Sequence, residues 1–211
     1  MELLIVRHAE SDPNVAGLIN SDPGRPSPLT QRGLHQARRL GERLSDERID
    51  LCVTSELERS IATADVALAG RFIKRQVMPE LNDPRAGDFE GGTAAEHEGW
   101  LQTHGLAAPN PGGGESQLDA LRRYARAFHA LAADPKERVF AVAHGMPIAW
   151  LLSARSSIAA DGPVEPTADF ADPGVDFAGV PDRIDGLELR EAAAILERFA
   201  NRTRVDQKGG S

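Results

Sequence analysis

The chain has 211 residues, 41% hydrophobic and 27% charged, enough apolar material for one good core and nothing that reads as disordered throughout. A formal net charge of -8 gives no electrostatic footprint for nucleic acid or an anionic membrane, so any bound anion must sit in a local pocket of concentrated cations. The lone cysteine, Cys52, excludes an internal disulfide or a thiolate metal cluster and reads as a small buried hydrophobe.

In chain order, Leu3 to Val6 reads as a fully buried strand that ends abruptly at Arg7-His8-Ala9-Glu10-Ser11. The apolar start before Arg7 is too short for a signal-peptide core, and no run approaches the ~18 apolar residues of a membrane span; a cytoplasmic protein is expected. Asp12-Pro13 and the Pro/Gly-rich Ser21 to Pro28 read as loop. Thr30 to Leu44 reads as a helix capped by Thr30, with Leu34, Ala37, Leu40, Gly41 and Leu44 on one face. Ile49 to Thr54 is a second strand, and Leu57 to Ala69 a helix closed by Gly70. Phe72 to Met78 is a third strand candidate, interrupted by Lys74 and Arg75.

Asn82 to Gly92 reads as loop, Thr93 to Thr103 as a helix, and Asn110 to Gly114 as a Pro/Gly loop. Glu115 to Ala133 is strongly amphipathic, with Leu118, Leu121, Ala125, Phe128 and Leu131 at helical spacing. Val139 to Ala143 is a buried strand that runs into His144-Gly145, and a helix follows over Pro147 to Ala154. Residues 155 to 186, acidic and rich in Pro, Gly and Ala, read as an irregular loop or flap. Leu187 to Phe199 returns to helix, and residues 205 to 211 read as a tail. Alternating strands and helices predict one α/β domain over residues 1 to 204, a three-layer sandwich with a mainly parallel sheet.

Two buried strands thus end in histidines, His8 and His144, and a third leads through Ser55 into a helix that carries Arg59 in its first turn. Parallel strands end on one sheet edge, where α/β proteins gather their ligands. Two imidazoles and the guanidiniums of Arg7 and Arg59 in one cleft call for an anion, and a phosphoryl group suits their geometry.

The residues then show a resemblance. Arg7-His8-Ala9-Glu10 resembles the Arg-His-Gly-Glu signature of the histidine phosphatase superfamily, which includes cofactor-dependent phosphoglycerate mutases. Ser11 and Asn14 resemble the Ser/Thr and Asn that follow it. Leu29-Thr30 with Gly33, Gln36 and Ala37 is similar to the first-helix pattern. Ser55, Leu57, Arg59 and Thr63-Ala64 resemble the segment after the second strand. Leu81-Asn82-Asp83 with Gly87-Asp88-Phe89-Glu90-Gly91, then Gly113 to Ser116, then Val142-Ala143-His144-Gly145, continue the series in order over residues 3 to about 150.

The resemblance implies a phosphoglycerate mutase-like fold and metal-independent hydrolysis of small phosphate monoesters, with neutral His8 as nucleophile. It implies that Arg7, Arg59, His144, Asn14 and the Gly145 amide hold the phosphoryl oxygens, and that no cofactor or metal is required. Asp83 stands where the family usually has Glu and is the candidate acid, with Glu80, Asp88 and Glu90 as substitutes. Glu10 and Ser11 are expected behind the site, Glu10 orienting Arg or His. Ala9 replaces the usual Gly and puts a methyl beside the nucleophile, which is expected to narrow the pocket without removing a catalytic group. The remaining histidines, His35, His97, His104 and His129, read as solvated or packing residues, and Arg122, Arg123 and Arg126 as a solvated face. The triple glycine Gly112 to Gly114 lacks the Lys-Ser/Thr of a nucleotide P-loop. The expected partner is a small phosphorylated metabolite, with no nucleic acid and no membrane; a second copy of the chain, as a homodimer, stays open. So do mutase activity, protein-phosphohistidine phosphatase activity and a weakly active phosphate-binding role.

Overall fold

The computed structural model describes residues 1–160 and 176–208. Its strands are Glu2–Arg7 (β1), Leu51–Thr54 (β2), Lys74–Val77 (β3), Arg138–Ala143 (β4) and Asp182–Asp185 (β5). Its helices are Asp12–Val15 (α1), Gln31–Arg43 (α2), Glu58–Ala67 (α3), Ala94–His104 (α4), Gln117–Ala132 (α5), Gly145–Ala160 (α6) and Gly186–Lys208 (α7), with short 3-10 turns at Pro79–Leu81 and Gly87–Phe89. Among the described residues no helix is long and apolar enough to cross a membrane.

The strands form one five-stranded sheet in the order β3-β2-β4-β1-β5, parallel except for β5, which runs antiparallel to β1. The expected three-layer α/β architecture is present. Side-chain alternation divides the core. Leu3, Ile5, Leu51, Val53, Val139 and Ala141 pack with α5, α6 and α7. Leu4, Val6, Cys52, Phe140 and Val142 face the other way, toward α2 and α3. Burial on both faces explains why these strands read as unbroken apolar runs. β3 is the exception: its four residues are all exposed, and Phe72 before it is fully exposed. An edge strand tolerates Lys74 and Arg75, which also guard the edge against foreign pairing.

Several boundaries differ from the sequence reading. The loop expected at Asp12-Pro13 contains the single turn α1, where Pro13 fits because a first-turn residue needs no N–H. Of the stretch 155–186 read as a loop or flap, residues 161–175 lie outside the described residues. The described remainder is ordered: α6 continues to Ala160, and β5 and the start of α7 follow. β5 carries one inward apolar residue, Ile184, paired with Leu3, so its four residues give no alternating signal. Its Arg183 instead pairs with Glu2 and Glu47 on neighbouring segments. Residues 205–208, read as tail, continue α7. The reading of Arg122 and Arg123 as solvated is also corrected. Arg122 bonds Asp119 and the Ala200 carbonyl, and Arg123 is largely enclosed against Glu115. Only Arg126 of the three is exposed.

The topology places a site. β1 and β4 are adjacent and parallel, with Arg7 opposite Ala143. The chain leaves β1 toward α2 on one face and leaves β4 into α6 on the other. A crevice opens at such a switch point, beyond the carboxyl ends of the strands.

Candidate active site

His8 continues the ladder past β1: its N–H donates to the Ala143 carbonyl at 2.9 Å. His144 follows Ala143 directly, so the two rings are neighbours, with centroids 5.0 Å apart. Arg59 reaches them from the first turn of α3, and Asp83 from the loop after the Pro79–Leu81 turn. His8, Arg59 and His144 are all buried.

Hydrogen bonding selects the His8 tautomer. Nδ1 lies 2.7 Å from the Ala9 carbonyl oxygen, which can only accept, so Nδ1 carries the proton. Arg59 Nε–H donates to Nε2 at 3.1 Å, which requires a lone pair there. Burial first, then the charges of Arg59 and His144, hold the His8 imidazole well below its usual pKa. The ring is neutral at pH 7, with its lone pair on the nitrogen that faces Arg59.

Arg59 is clamped on three sides. Nη1 donates to Asn20 Oδ1 at 2.8 Å, and Nη2 donates to the Asn20 carbonyl at 3.0 Å and to Asp83 Oδ2 at 2.9 Å. Burial pulls its pKa down and Asp83 offsets part of that; a guanidinium stays charged regardless. His144 Nδ1 lies 3.2 Å from the same Asp83 oxygen, and its Nε2 lies 2.7 Å from Ser55 Oγ. The ionised Asp83 oxygen only accepts, so His144 Nδ1 carries the ring proton and Nε2 accepts from the Ser55 hydroxyl. Burial lowers the His144 pKa, with Asp83 opposing.

Asp83 is the counter-ion of this cluster. Burial alone would raise its pKa, but His144, then Arg59, hold the carboxyl well below the usual carboxylate range. Its side chain keeps 25% exposure, so it forms part of the cleft wall. The loop beneath it is anchored from α5. Arg123 bonds Glu115 at 2.6 Å and donates to the carbonyls of Glu80 at 2.8 Å and Asn82 at 2.9 Å. The Tyr124 hydroxyl donates to the Asn82 carbonyl at 3.1 Å.

The structure therefore brings His8, Arg59, His144 and Asp83 into contact, and Arg7, Asn14 and Gly145 line the same cleft. The Arg7 guanidinium lies 3.9 Å over the Phe177 ring, which also sits beside His8. Asn14 Oδ1 accepts from the N–H and the hydroxyl of Ser11, so the group Asn14 can offer a ligand is its Nδ2 donor.

Two expectations need correction. Glu10 does not orient Arg7 or His8. Its Oε1 accepts from Thr30 Oγ1 at 2.7 Å and its Oε2 lies 3.4 Å from Arg32, so it secures the start of α2. The Ala9 methyl does not narrow the cleft; Ala9 is fully buried in the α2/α3 side of the core, because alternation turns it away from His8. Of the substitute acids, Glu90 binds Ser21 and none lines the cleft with His8.

Asn20, Phe177, Gln117 and Arg123 were missed. Asn20 and Phe177 sit in segments without periodicity, Gln117 stands inside an ordinary helix pattern, and Arg123 looked like one of three surface arginines. His97, read as solvated or packing, also lines the cleft.

Fold and cluster together define an α/β protein with paired imidazoles and guanidiniums at the switch point of a mainly parallel sheet. Residues 3–165 match the family model of the Histidine phosphatase superfamily (branch 1), and the chain belongs to that superfamily. It is 42% identical over 90 residues to the adenosylcobalamin/alpha-ribazole phosphatase of Salmonella typhimurium, across 43% of this chain and 44% of that protein. That alignment spans less than half the length of the relative. It is 29% identical over 162 residues to the "Probable phosphoglycerate mutase GpmB" of Proteus mirabilis, across 72% of this chain and 74% of the relative. Among solved structures, the alpha-ribazole phosphatase of Shigella flexneri aligns with a TM-score of 0.66 at 29% identity, covering 74% of this chain and 79% of that one. Bacillus stearothermophilus YhfR aligns at 0.65 and 28% identity, covering 77% and 81%.

Proposed function

We propose that the chain is a metal-independent phosphatase that hydrolyses small phosphate monoesters through a phosphohistidine on His8. One observation carries this reading: a buried imidazole, neutral and with its lone pair on Nε2, shares that nitrogen's surroundings with a charged guanidinium. A nucleophile and the cation that would draw a phosphoryl group to it are already together.

A phosphate monoester entering the cleft places its oxygens against Arg59, His144, Arg7 and the Asn14 amide. It competes with Asp83 for Arg59 and His144, the two groups that hold the carboxyl ionised. That competition and the added negative charge raise the proton affinity of Asp83, which takes up a proton from solvent as the ester binds. His8 Nε2 then gives its lone pair to phosphorus as the ester P–O bond breaks, and Asp83 passes a proton to the leaving oxygen. Water attacks the phosphohistidine, its proton goes to Asp83, and the N–P bond breaks to return the lone pair to Nε2. Fixed cations stabilise the charge on the equatorial oxygens throughout.

The cleft favours hydrolysis over phosphoglycerate mutation. Among the described residues, the cations that line it are Arg7 and Arg59, both committed to the phosphoryl end, which leaves no described cation for a substrate carboxylate. The phosphatases among the relatives point the same way. Hydrolysis of p-nitrophenyl phosphate in EDTA tests the reading. The wild-type protein should turn it over and His8→Ala should lose at least about a thousandfold in rate; a fully active His8→Ala variant would contradict it.

A further inference from the structure

The phosphoryl end of the cleft leaves much of it unused. The cleft encloses about 140 Å³, more than a phosphoryl group alone fills. Pro13, Leu18, Ile19, Pro84, Ala94 and Met146 give the cleft an apolar lining. Gln117, the first residue of α5, also lines it. Its side chain is 3% exposed, and its Oε1 is buried without a hydrogen-bond partner. An orphaned buried acceptor is costly and is uncommon in native proteins unless a ligand or water satisfies it.

His97 supports the same polarity. Its Nε2 lies 2.9 Å from Asn110 Oδ1, an oxygen that accepts only, so the proton is on Nε2 and Nδ1 is an acceptor. Burial lowers its pKa, with the Asn110 bond opposing, so the ring stays neutral. Gln117 and His97 thus offer acceptors in a cleft with a largely apolar lining.

We infer that Gln117 determines specificity, accepting a hydrogen bond from an O–H or N–H on an otherwise largely apolar leaving group. The inference rests on the phosphatase reading and adds the class of ester to it: uncharged beyond its phosphate, apolar over most of its surface, with one hydrogen-bond donor at the reach of Gln117. Sites built around a buried polar group reject analogues that leave it unpaired far more strongly than they reject a missing methylene.

The test is a hydroxyl walk. Pentyl phosphate is compared with pentyl phosphates carrying one hydroxyl at carbon 2, 3, 4 or 5, reading kcat/KM. Wild-type protein should prefer one regioisomer over pentyl phosphate by about 10–100-fold. Gln117→Met, of similar volume but without the acceptor, should reduce that ratio to about threefold or less while its thermal midpoint stays close to wild type. Gln117→Glu keeps an acceptor; it should restore the ratio while raising KM for both esters through its charge. A merely structural role would lower both rates together and leave the ratio unchanged. If pentyl phosphate is hydrolysed through His8 but no isomer is preferred, or the preference survives in Gln117→Met, the assignment of Gln117 is wrong. If no ester is hydrolysed at all, the phosphatase reading itself fails and takes this inference with it.

Discussion

His8 is held by two hydrogen bonds that agree. The Ala9 carbonyl accepts from Nδ1–H and Arg59 donates to Nε2, so the tautomer and the nitrogen that bears the lone pair are set before any ligand arrives. Its depressed pKa has a measurable consequence. The ring should keep its neutral form to lower pH than a free histidine does. A ring-nitrogen NMR titration should place the His8 transition below that of a free histidine; titration near about 6.5 would show that burial and Arg59 do not act as described. Asp83 makes a different prediction, because it is both counter-ion and candidate acid. Asp83→Asn should slow alkyl esters by about 10²–10⁴-fold, whereas p-nitrophenyl phosphate, whose leaving group needs little protonation, should lose about tenfold or less. Equal losses for both would remove Asp83 from proton transfer.

Close packing between elements decides how well these side chains are held. α2 approaches the loop after β1 so closely that a Cβ at Gly33 would lie 2.0 Å from the Glu10 carbonyl oxygen, a clash with backbone. Gly33→Ala should destabilise the fold by about 2–4 kcal/mol, read as a lower denaturant midpoint with an unchanged m-value. The Asp83 loop depends likewise on α5. Arg123→Met leaves Glu115 buried without its partner and frees the carbonyls of Glu80 and Asn82. A stability loss of about 3 kcal/mol and reduced catalysis are expected; a wild-type kcat/KM would show that the loop holds Asp83 without it.

Legibility followed the same divisions. β1, β2 and β4 announced themselves because burial on both faces makes them apolar runs, and the amphipathic α2 and α5 were equally plain. His8 and His144 were legible because each follows such a strand directly, and Arg59 because it stands in the first turn of the helix after β2. β5 was not, because one inward residue carries no period. Asn20 and Phe177 reach the site from irregular segments, where only three-dimensional proximity marks them. Glu10 was misjudged because adjacency in sequence to His8 does not survive the turn into α2.

At the scale of the whole molecule, a chain of net charge -8 concentrates cationic groups at one sheet edge and holds an ionised carboxylate among them. The linkage to pH has a definite sign. His8, His144 and Asp83 all bind protons less readily folded than unfolded. Their contribution is therefore full above the unfolded pKa values and is lost as pH falls. Stability should begin to decline as pH drops through about 6.5, from the histidines, and decline further below about 4, from Asp83. Denaturant midpoints measured from pH 8 to 3 should trace this, and a midpoint that rose on acidification would contradict it.

The central claim is covalent chemistry on His8. Rapid acid-free quenching of the protein during turnover of a phosphorus-labelled monoester in EDTA, followed by peptide mapping, tests it directly. Label retained through alkali, lost in acid and located on the peptide containing His8 is the expected result. Turnover without any labelled peptide, or with label on another residue, would contradict it.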